Sequence, residues 1–524
     1  MLEKILGDLW RFRSQLDGLH HPCNGYLLRM GRRWILIDPP EDLLPQTVRP
    51  LLGKGEITDI YITHLQHEHA AGAANFPKAV LHVPHGDEYL CKGEEAYRAK
   101  IRKSMASDPW EANGNYQGHL AGACNERPLR TAIPLGDSLY PGNVVDGMQV
   151  MATPGHGKSA VTLLAEVDGQ RVAFCGDLIY SGGRLWNWFD CDWDYGLETG
   201  QRTLLQSARR LRDAKPDLLC PSHGDLCQDA VGDLSHLVMN LDAVLSLREA
   251  TPPAPINFPE PKEKAPGWRE LTPHLYQWKA GNMILLLSGD GHAMAIDAGF
   301  CGRQPAVKTP DPDTLFQGIK KALGIRSIEW VVPTNYQYDH WNLVSHLIRA
   351  ERAKVLSLDT VTGPIQNPHH YNLARSQSEA RSNQESLSID MCLTDGETFS
   401  WRGYNLRFFH LGGDTWYQLG IQIELDGSRV LLVGDAMKGA ALTAGPVLCW
   451  NDAEPEEKGS LFALRKISER KPDLLVGGHG TALRQPMRYV KACLSDWLGR
   501  VAILEKLNPR ASASAFFSPF YTGS

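Results

Sequence analysis

The sequence predicts an α/β protein built as two copies of one domain, and three observations support this. At 524 residues the chain is too long for a single hydrophobic core, because such cores stop growing near about 250–300 residues. Short apolar runs of strand character, such as ITDIYIT (57–63) and VAFCGD (172–177), alternate with stretches whose apolar residues recur every three or four positions, such as LETGQRTLLQSARRLRDA (197–214). Three phrases also return in the same order at nearly one spacing. RRWILIDPP with Asp38 returns as HAMAIDAG with Asp297, VAFCGD ending at Asp177 returns as VLLVGD ending at Asp435, and KPDLLCPSHG (215–224) returns as KPDLLVGGHG (471–480).

Composition narrows the function classes. With 43% hydrophobic and 22% charged residues the chain has the mixture of a folded globular protein. A balance of 54 Lys+Arg against 60 Asp+Glu gives a formal charge of -6, which speaks against a broad nucleic-acid footprint. The N-terminal stretch MLEKILGDLWRFRSQLDG is interrupted by charges, unlike the apolar core of a signal peptide. No stretch approaches the roughly 20 uninterrupted apolar residues of a membrane span. The 11 cysteines are scattered without a CxxC pair and read as reduced thiols. A cytoplasmic protein with no membrane or nucleic-acid partner is expected, with homo-oligomer formation left open.

Between the copies, TPPAPINFPEPKEKAPGW (251–268) contains six prolines, which oppose both helix and central strand. The expected organisation is a first domain over 1–250, a Pro-rich linker over 251–268 and a second domain over 269–524. Two polar inserts, Glu88 to Arg130 and Gln366 to Asp390, have the character of lids or partner surfaces.

The chemistry concentrates after the strand ITDIYIT, in His64, Leu65, Gln66, His67, Glu68 and His69, followed by Gly72. Three imidazoles and a carboxylate within six residues need partners if buried, and a cation would be one. The order His-x-Gln-x-Glu-His-x-x-Gly resembles the His-x-His-x-Asp-His motif of the metallo-β-lactamase superfamily. Further phrases resemble the same family in its order: Thr153-Pro154-Gly155-His156-Gly157, then Gly176-Asp177, then Ser222-His223-Gly224. The resemblance extends over nearly all of both halves. It implies an αββα sandwich, duplicated in tandem, with two adjacent cations, zinc in the first instance, at one edge of the first domain. By position His64, Gln66 and His156 would serve one site, Glu68, His69 and His223 the other, and Asp177 would bridge them.

Two departures from the family pattern matter. Gln66 stands where histidine is usual, and a neutral amide is a weaker zinc ligand than imidazole; His67 is a further nitrogen within reach if the loop bends. Glu68 replaces the usual aspartate with a longer carboxylate. Both leave room for iron or manganese. The second half has lost its site-one imidazoles: Asn335, Gln337 and Asp414 stand where histidines are expected, while Asp339, His340, Asp435 and His479 keep the rest. That half reads as a pseudo-domain, as the holder of a single hard cation helped by Asp414, or as a distinct active site.

The expected activity is hydrolysis of an ester, lactone, thioester or amide of a small molecule by metal-activated water, with Asp177 and Glu68 orienting that water and accepting its proton. Cys175 and Cys220 read as small buried hydrophobes. The aromatic stretch SGGRLWNWFDCDWDYG (181–196) reads equally as a pocket wall or as packing, and its aspartates disfavour a highly anionic substrate. The alternatives are an iron-dependent oxidoreductase or oxygenase on the same fold, and a binding module without catalysis.

Overall fold

The computed structural model describes residues 2–16, 23–93, 95–96, 99, 129–185, 201–249, 262–300, 311–367, 386–413, 415–437 and 459–507. The chain divides into two compact units between residues 247 and 248, and residues 502–507 at the end of the last helix fall with the first unit. The backbone N–H of Leu185 donates to the carbonyl of Leu507 at 2.8 Å.

Among the described residues the first unit has two sheets. One runs β1 (Leu2–Leu6), β2 (Leu9–Arg13), β3 (Asn24–Met30), β4 (Arg33–Ile37), β5 (Glu56–Tyr61) and β6 (Val80–His82), each beside the next. The other has spatial order β11 (Leu218–Pro221), β10 (Gln170–Gly176), β9 (Val161–Val167), β8 (Met148–Ala152) and β7 (Val144–Val145). The pairs β4–β5, β5–β6 and β10–β11 are parallel.

The near-continuous apolar strands alternate between two destinations, since successive side chains point to opposite faces. Leu28, Ile35 and Ile37 of the first sheet share one core with Val150, Leu163, Phe174 and Leu218 of the second. Leu27, Leu36 and Ile60, on the opposite face, pack with Val48 of the helix Pro45–Leu52 and with Ala70. On the other side of the sandwich, Ser207 Oγ and Arg210 of the helix Gln201–Asp213 donate to the carbonyls of Pro154 and Ala152, at 2.6 Å each. Helix, sheet, sheet, helix is the αββα layering.

The second unit repeats the plan. One sheet runs β12 (Glu263–Ala265), β13 (Trp268–Thr272), β14 (Leu275–Trp278), β15 (Asn282–Leu287), β16 (His292–Gly299), β17 (Ser327–Val332), β18 (Lys354–Leu358) and β19 (Met391–Leu393). The other runs β20 (Thr398–Trp401), β21 (Tyr404–His410), β22 (Leu419–Leu425), β23 (Ser428–Leu432), β24 (Leu474–Val476) and β25 (Leu483–Arg484). The Pro-rich linker expected to reach Trp268 ends earlier than that. Ala265 pairs with Trp268 across Pro266-Gly267, with Gly267 at φ 78°, the Pro-then-Gly arrangement of a tight turn. Residues 251–261 and most of the inserts 88–130 and 366–390 lie outside the described residues. Among the described residues, no helix is long and apolar enough to cross a membrane.

Candidate metal centre

The candidate residues follow the C-terminal ends of strands at one edge of the first sandwich. Thr63 and His64 follow β5, Thr153 to His156 follow β8, Asp177 follows β10, and Ser222 and His223 follow β11. Backbone bonds knit these ends together: Val161 N–H donates to Thr63 O at 2.8 Å and Ser222 N–H to Gly176 O at 2.9 Å. Asp38, at the end of β4, is fully buried and braces two of the phrases at once. Its carboxylate accepts from Thr63 N–H at 2.8 Å, Thr63 Oγ1 at 2.7 Å and Ser222 Oγ at 2.8 Å.

Two glycines permit the close approach. Gly176 has φ 57°, and a Cβ there would meet Thr63 Oγ1 at 2.6 Å and His64 Nδ1 at 3.0 Å. A Cβ on Gly72 would lie 2.2 Å from Pro40 O, so the short helix His67–Ala70 packs onto the chain after Asp38 only because residue 72 is glycine.

Four imidazoles converge on one oxygen. Asp177 Oδ2 lies 3.6 Å from His64 Nε2, 3.4 Å from His69 Nε2, 3.4 Å from His156 Nε2 and 3.5 Å from His223 Nε2. All five side chains are buried. His64 Nε2, both ring nitrogens of His69 and both oxygens of Asp177 have no hydrogen-bond partner, an arrangement that protein interiors otherwise avoid. Ligand atoms about 2.1 Å from a tetrahedral cation stand roughly 3.4 Å apart, the spacing found here. The donor set therefore fits a metal ion.

Burial lowers His64 and drives His223 down to about 4, so both present neutral lone pairs. Burial also opposes charge on Asp177, but His223, His69 and His64 outweigh it and hold the carboxyl well below its usual range. His69 goes the other way: burial disfavours its charged form, yet Asp177 and then Cys23 lift it well above the ordinary imidazole value.

Not every expected residue reaches the cluster in the same way. Gln66 Nε2 lies 2.7 Å from His156 Nε2, so the amide caps that ring. His67 turns away, its Nε2 3.6 Å from Glu41 Oε2, and does not stand in for Gln66. Glu68 is half-buried and acts electrostatically on Cys23 and His223. Cys175 and Cys220 lie buried at their strand ends, burial raising both thiols well above their usual value. The aromatics Trp186 to Tyr195 lie outside the described residues.

In the second unit, Asp297 braces Thr334 through its N–H at 2.7 Å and Oγ1 at 2.9 Å, as Asp38 braces Thr63. Its remaining partner differs, being His340 Nδ1 at 2.9 Å. His340 Nε2 lies 3.3 Å from Asp435 Oδ2, and His479 Nε2 lies 3.3 Å from Asp339 Oδ2 and 3.4 Å from Asp435 Oδ2. Asp339, His340 and His479 thus come together, whereas Asp414 lies outside the described residues. Where site one would be, amides interlock: Asn335 Nδ2 donates to Gln418 Oε1 at 3.0 Å, and Gln418 Nε2 donates to Thr334 O at 3.1 Å. Leu419 N–H donates to Thr334 O as Val161 N–H does to Thr63 O, so Gln418 occupies the place of Ala160.

Sequence reasoning missed Cys23, Gln418 and Asn282, and saw Asp38 only as a landmark. Asp38 had a signal, the return of a strand-ending aspartate as Asp297. The other three had none, because each lies far along the chain from the motif it touches.

A sequence profile of the metallo-beta-lactamase superfamily matches residues 19–223 and again 276–479. The chain is 24% identical over 221 residues to a beta-lactamase-like protein 2 homolog of Drosophila melanogaster, covering 41% of this chain and 63% of that one. It is 26% identical over 186 residues to a probable metallo-hydrolase of Mycobacterium tuberculosis, covering 33% of this chain and 57% of that one. The match thus spans about three fifths of these relatives' length. Among solved structures it is similar to a metallo-beta-lactamase HARLDQ-motif mutant from Cronobacter sakazakii, with 15% identity, TM-score 0.35, 45% of this chain and 96% of that one. It is also similar to a beta-lactamase domain protein from Burkholderia ambifaria, with 19% identity, TM-score 0.36, 49% of this chain and 81% of that one.

Proposed function

The chain belongs to the metallo-beta-lactamase superfamily, and on that footing we propose that its first half is a metal-dependent hydrolase of a small neutral ester, lactone, thioester or amide. The observation behind this reading is the convergence of four imidazole Nε2 atoms within 3.4–3.6 Å of Asp177 Oδ2. His64, Gln66 and His156 would hold one cation, and Glu68, His69 and His223 a second, with Asp177 between them. Zinc suits the imidazole-rich set, and the carboxylates and amide also admit iron or manganese. When bound, such ions lower the pKa of water and polarise a substrate carbonyl.

The chain's own residues do the rest. Asp177 is held ionised by the surrounding histidines, so it stands as an anion that orients a water at neutral pH. Glu68 supplies the proton acceptor within the phrase. With a cation bound, the Gln66 amide would release His156 Nε2, which it meets at 2.7 Å, and offer its oxygen instead, contributing no charge. In the second half Asn335 and Gln418 satisfy each other at the equivalent of site one, which supports a division of labour in which that half does not hydrolyse substrate. The word metallo-hydrolase in the name of the Mycobacterium tuberculosis relative agrees with the reading.

The test is metal analysis of the protein prepared without added metal, together with a broad ester, lactone, thioester and amide panel. Asp177→Ala is expected to abolish hydrolysis while Asp435→Ala leaves most of it. Equal losses would overturn the division of labour. Stoichiometric iron with no hydrolysis across the panel would replace the hydrolase by an oxidoreductase.

A further inference from the structure

We propose that Cys23 is a ligand of the second cation in the first half, so that this position offers a thiolate beside His69 and His223. The inference rests on the hydrolase reading only in that the cluster must bind cations at all. Cys23 Sγ and one ring nitrogen each of His69 and His223 lie within 4.8 Å of one another. A second group of the same kind joins His64, His69 and Asp177. His69 is common to both, which makes the pair two adjoining sites rather than two unrelated ones. Among the described residues Glu68 joins neither group, so the thiol adds beside His69 and His223 a ligand atom that the motif alone does not supply.

The placement is built into the backbone. Cys23 forms a β-bridge with His223, Ser14 N–H donates to Cys23 O at 2.9 Å, and Asn24 N–H donates to Ser222 O at 2.7 Å. The Asn24 side chain then clamps the far side of the same loop, Nδ2 donating to Pro221 O at 3.0 Å and Gly224 O at 2.8 Å. The thiol is therefore registered against His223 rather than resting there by chance packing. The 0% exposed His69 has no hydrogen bond of ordinary geometry at either ring nitrogen; what its ring faces is Asp177 Oδ2, 3.4 Å from Nε2, and the Cys23 thiol.

The second half makes the contrast. Beside its last histidine stands Asn282, whose Nδ2 lies 3.0 Å from Asp339 Oδ2 and 3.2 Å from His479 Nε2. An amide that donates to the carboxylate holds the site together without an ion. A thiol with two imidazoles instead forms a soft, nitrogen and sulfur set that selects zinc over magnesium or calcium. On coordination the thiol proton leaves to solvent and no redox change occurs.

The experiment titrates the metal-free full-length protein with cobalt(II), recording bound cobalt by equilibrium dialysis and the near-ultraviolet charge-transfer band that only a thiolate ligand produces. The wild type is expected to show the band. Cys23→Ser is expected to lose it and to bind its weakest first-half ion roughly 10-fold or more less tightly, a loss at least as large as for an outer partner. Cobalt bound to the wild type without the band overturns the thiolate ligand and leaves the hydrolase reading standing. So does a band that survives in Cys23→Ser. Failure of the wild type to bind cobalt overturns both. Absence of the band in cobalt-loaded wild type overturns the ligand even if Cys23→Ser does not fold, and Cys23→Ala then provides the second variant in which the band must vanish.

Discussion

Asp38→Asn isolates the brace beneath the centre. The amide keeps the shape of the carboxylate and tolerates the φ of 49° at this position, so only the acceptor chemistry changes. Its oxygen must face Thr63 N–H, which has no other way to bond, and its NH2 then faces Thr63 Oγ1 and Ser222 Oγ, which must become acceptors. Burial raises the Asp38 carboxyl, against His69, His64 and the bonds from Thr63; with the carboxylate ionised, three bonds to a charged acceptor become bonds to a neutral group, each weaker by roughly 1 kcal/mol, or about 3 kcal/mol together. At 1.4 kcal/mol per tenfold this is on the order of 100-fold in local opening. Hydrogen exchange read by mass spectrometry on a peptide spanning β5 and His64 measures it directly. Cobalt affinity should fall in parallel, because the bonds to Thr63 and Ser222 adjoin His64 and His223. Acceleration of exchange below about threefold would refute both the ionised state of Asp38 and its role as a brace.

Three further outcomes follow from the same geometry. Gly72→Ala forces a Cβ to within 2.2 Å of Pro40 O; displacing that backbone should cost roughly 2–3 kcal/mol and reduce the metal content of purified protein, which metal analysis measures. Zinc added to metal-free protein at about 100 times its Kd should stabilise the first unit by about 2.7 kcal/mol, seen as a shift of its thermal transition that a chelator reverses. Asp146 bonds Arg33 at 2.6 Å and Tyr61 Oη at 2.8 Å, and although burial opposes it these partners hold its carboxyl below the usual range. A lowered carboxyl contributes stability at neutral pH that is lost as acid protonates it. Asp146→Asn should therefore cost about 1 kcal/mol at pH 7, with its urea midpoint converging on the wild type's as the pH falls.

The duplication, the layer type and the strand ends that bear His64, His156, Asp177 and His223 were legible in the sequence. Those features are local: an apolar run sets a buried strand, and a polar phrase at its end has nowhere to go but the sheet edge. The same locality explains the misread details. His67 is one residue from the motif's ligands, yet the short helix His67–Ala70 points it at Glu41. Lys264 and its neighbours lie in Pro-rich sequence, yet Pro266-Gly267 turns them into a hairpin.

By itself, then, the sequence determined which residue types stand at each strand end and that they stand there twice. Only the tertiary structure decided what those ends face. Asp38 touches Ser222 from 184 residues away, Cys23 reaches the His69 and His223 cluster, and Gln418 takes the place of Ala160 at the edge of the second sandwich. Each of these contacts joins residues far apart along the chain. No periodicity or spacing encodes such a meeting, because it exists only after two sheets have closed on a shared core.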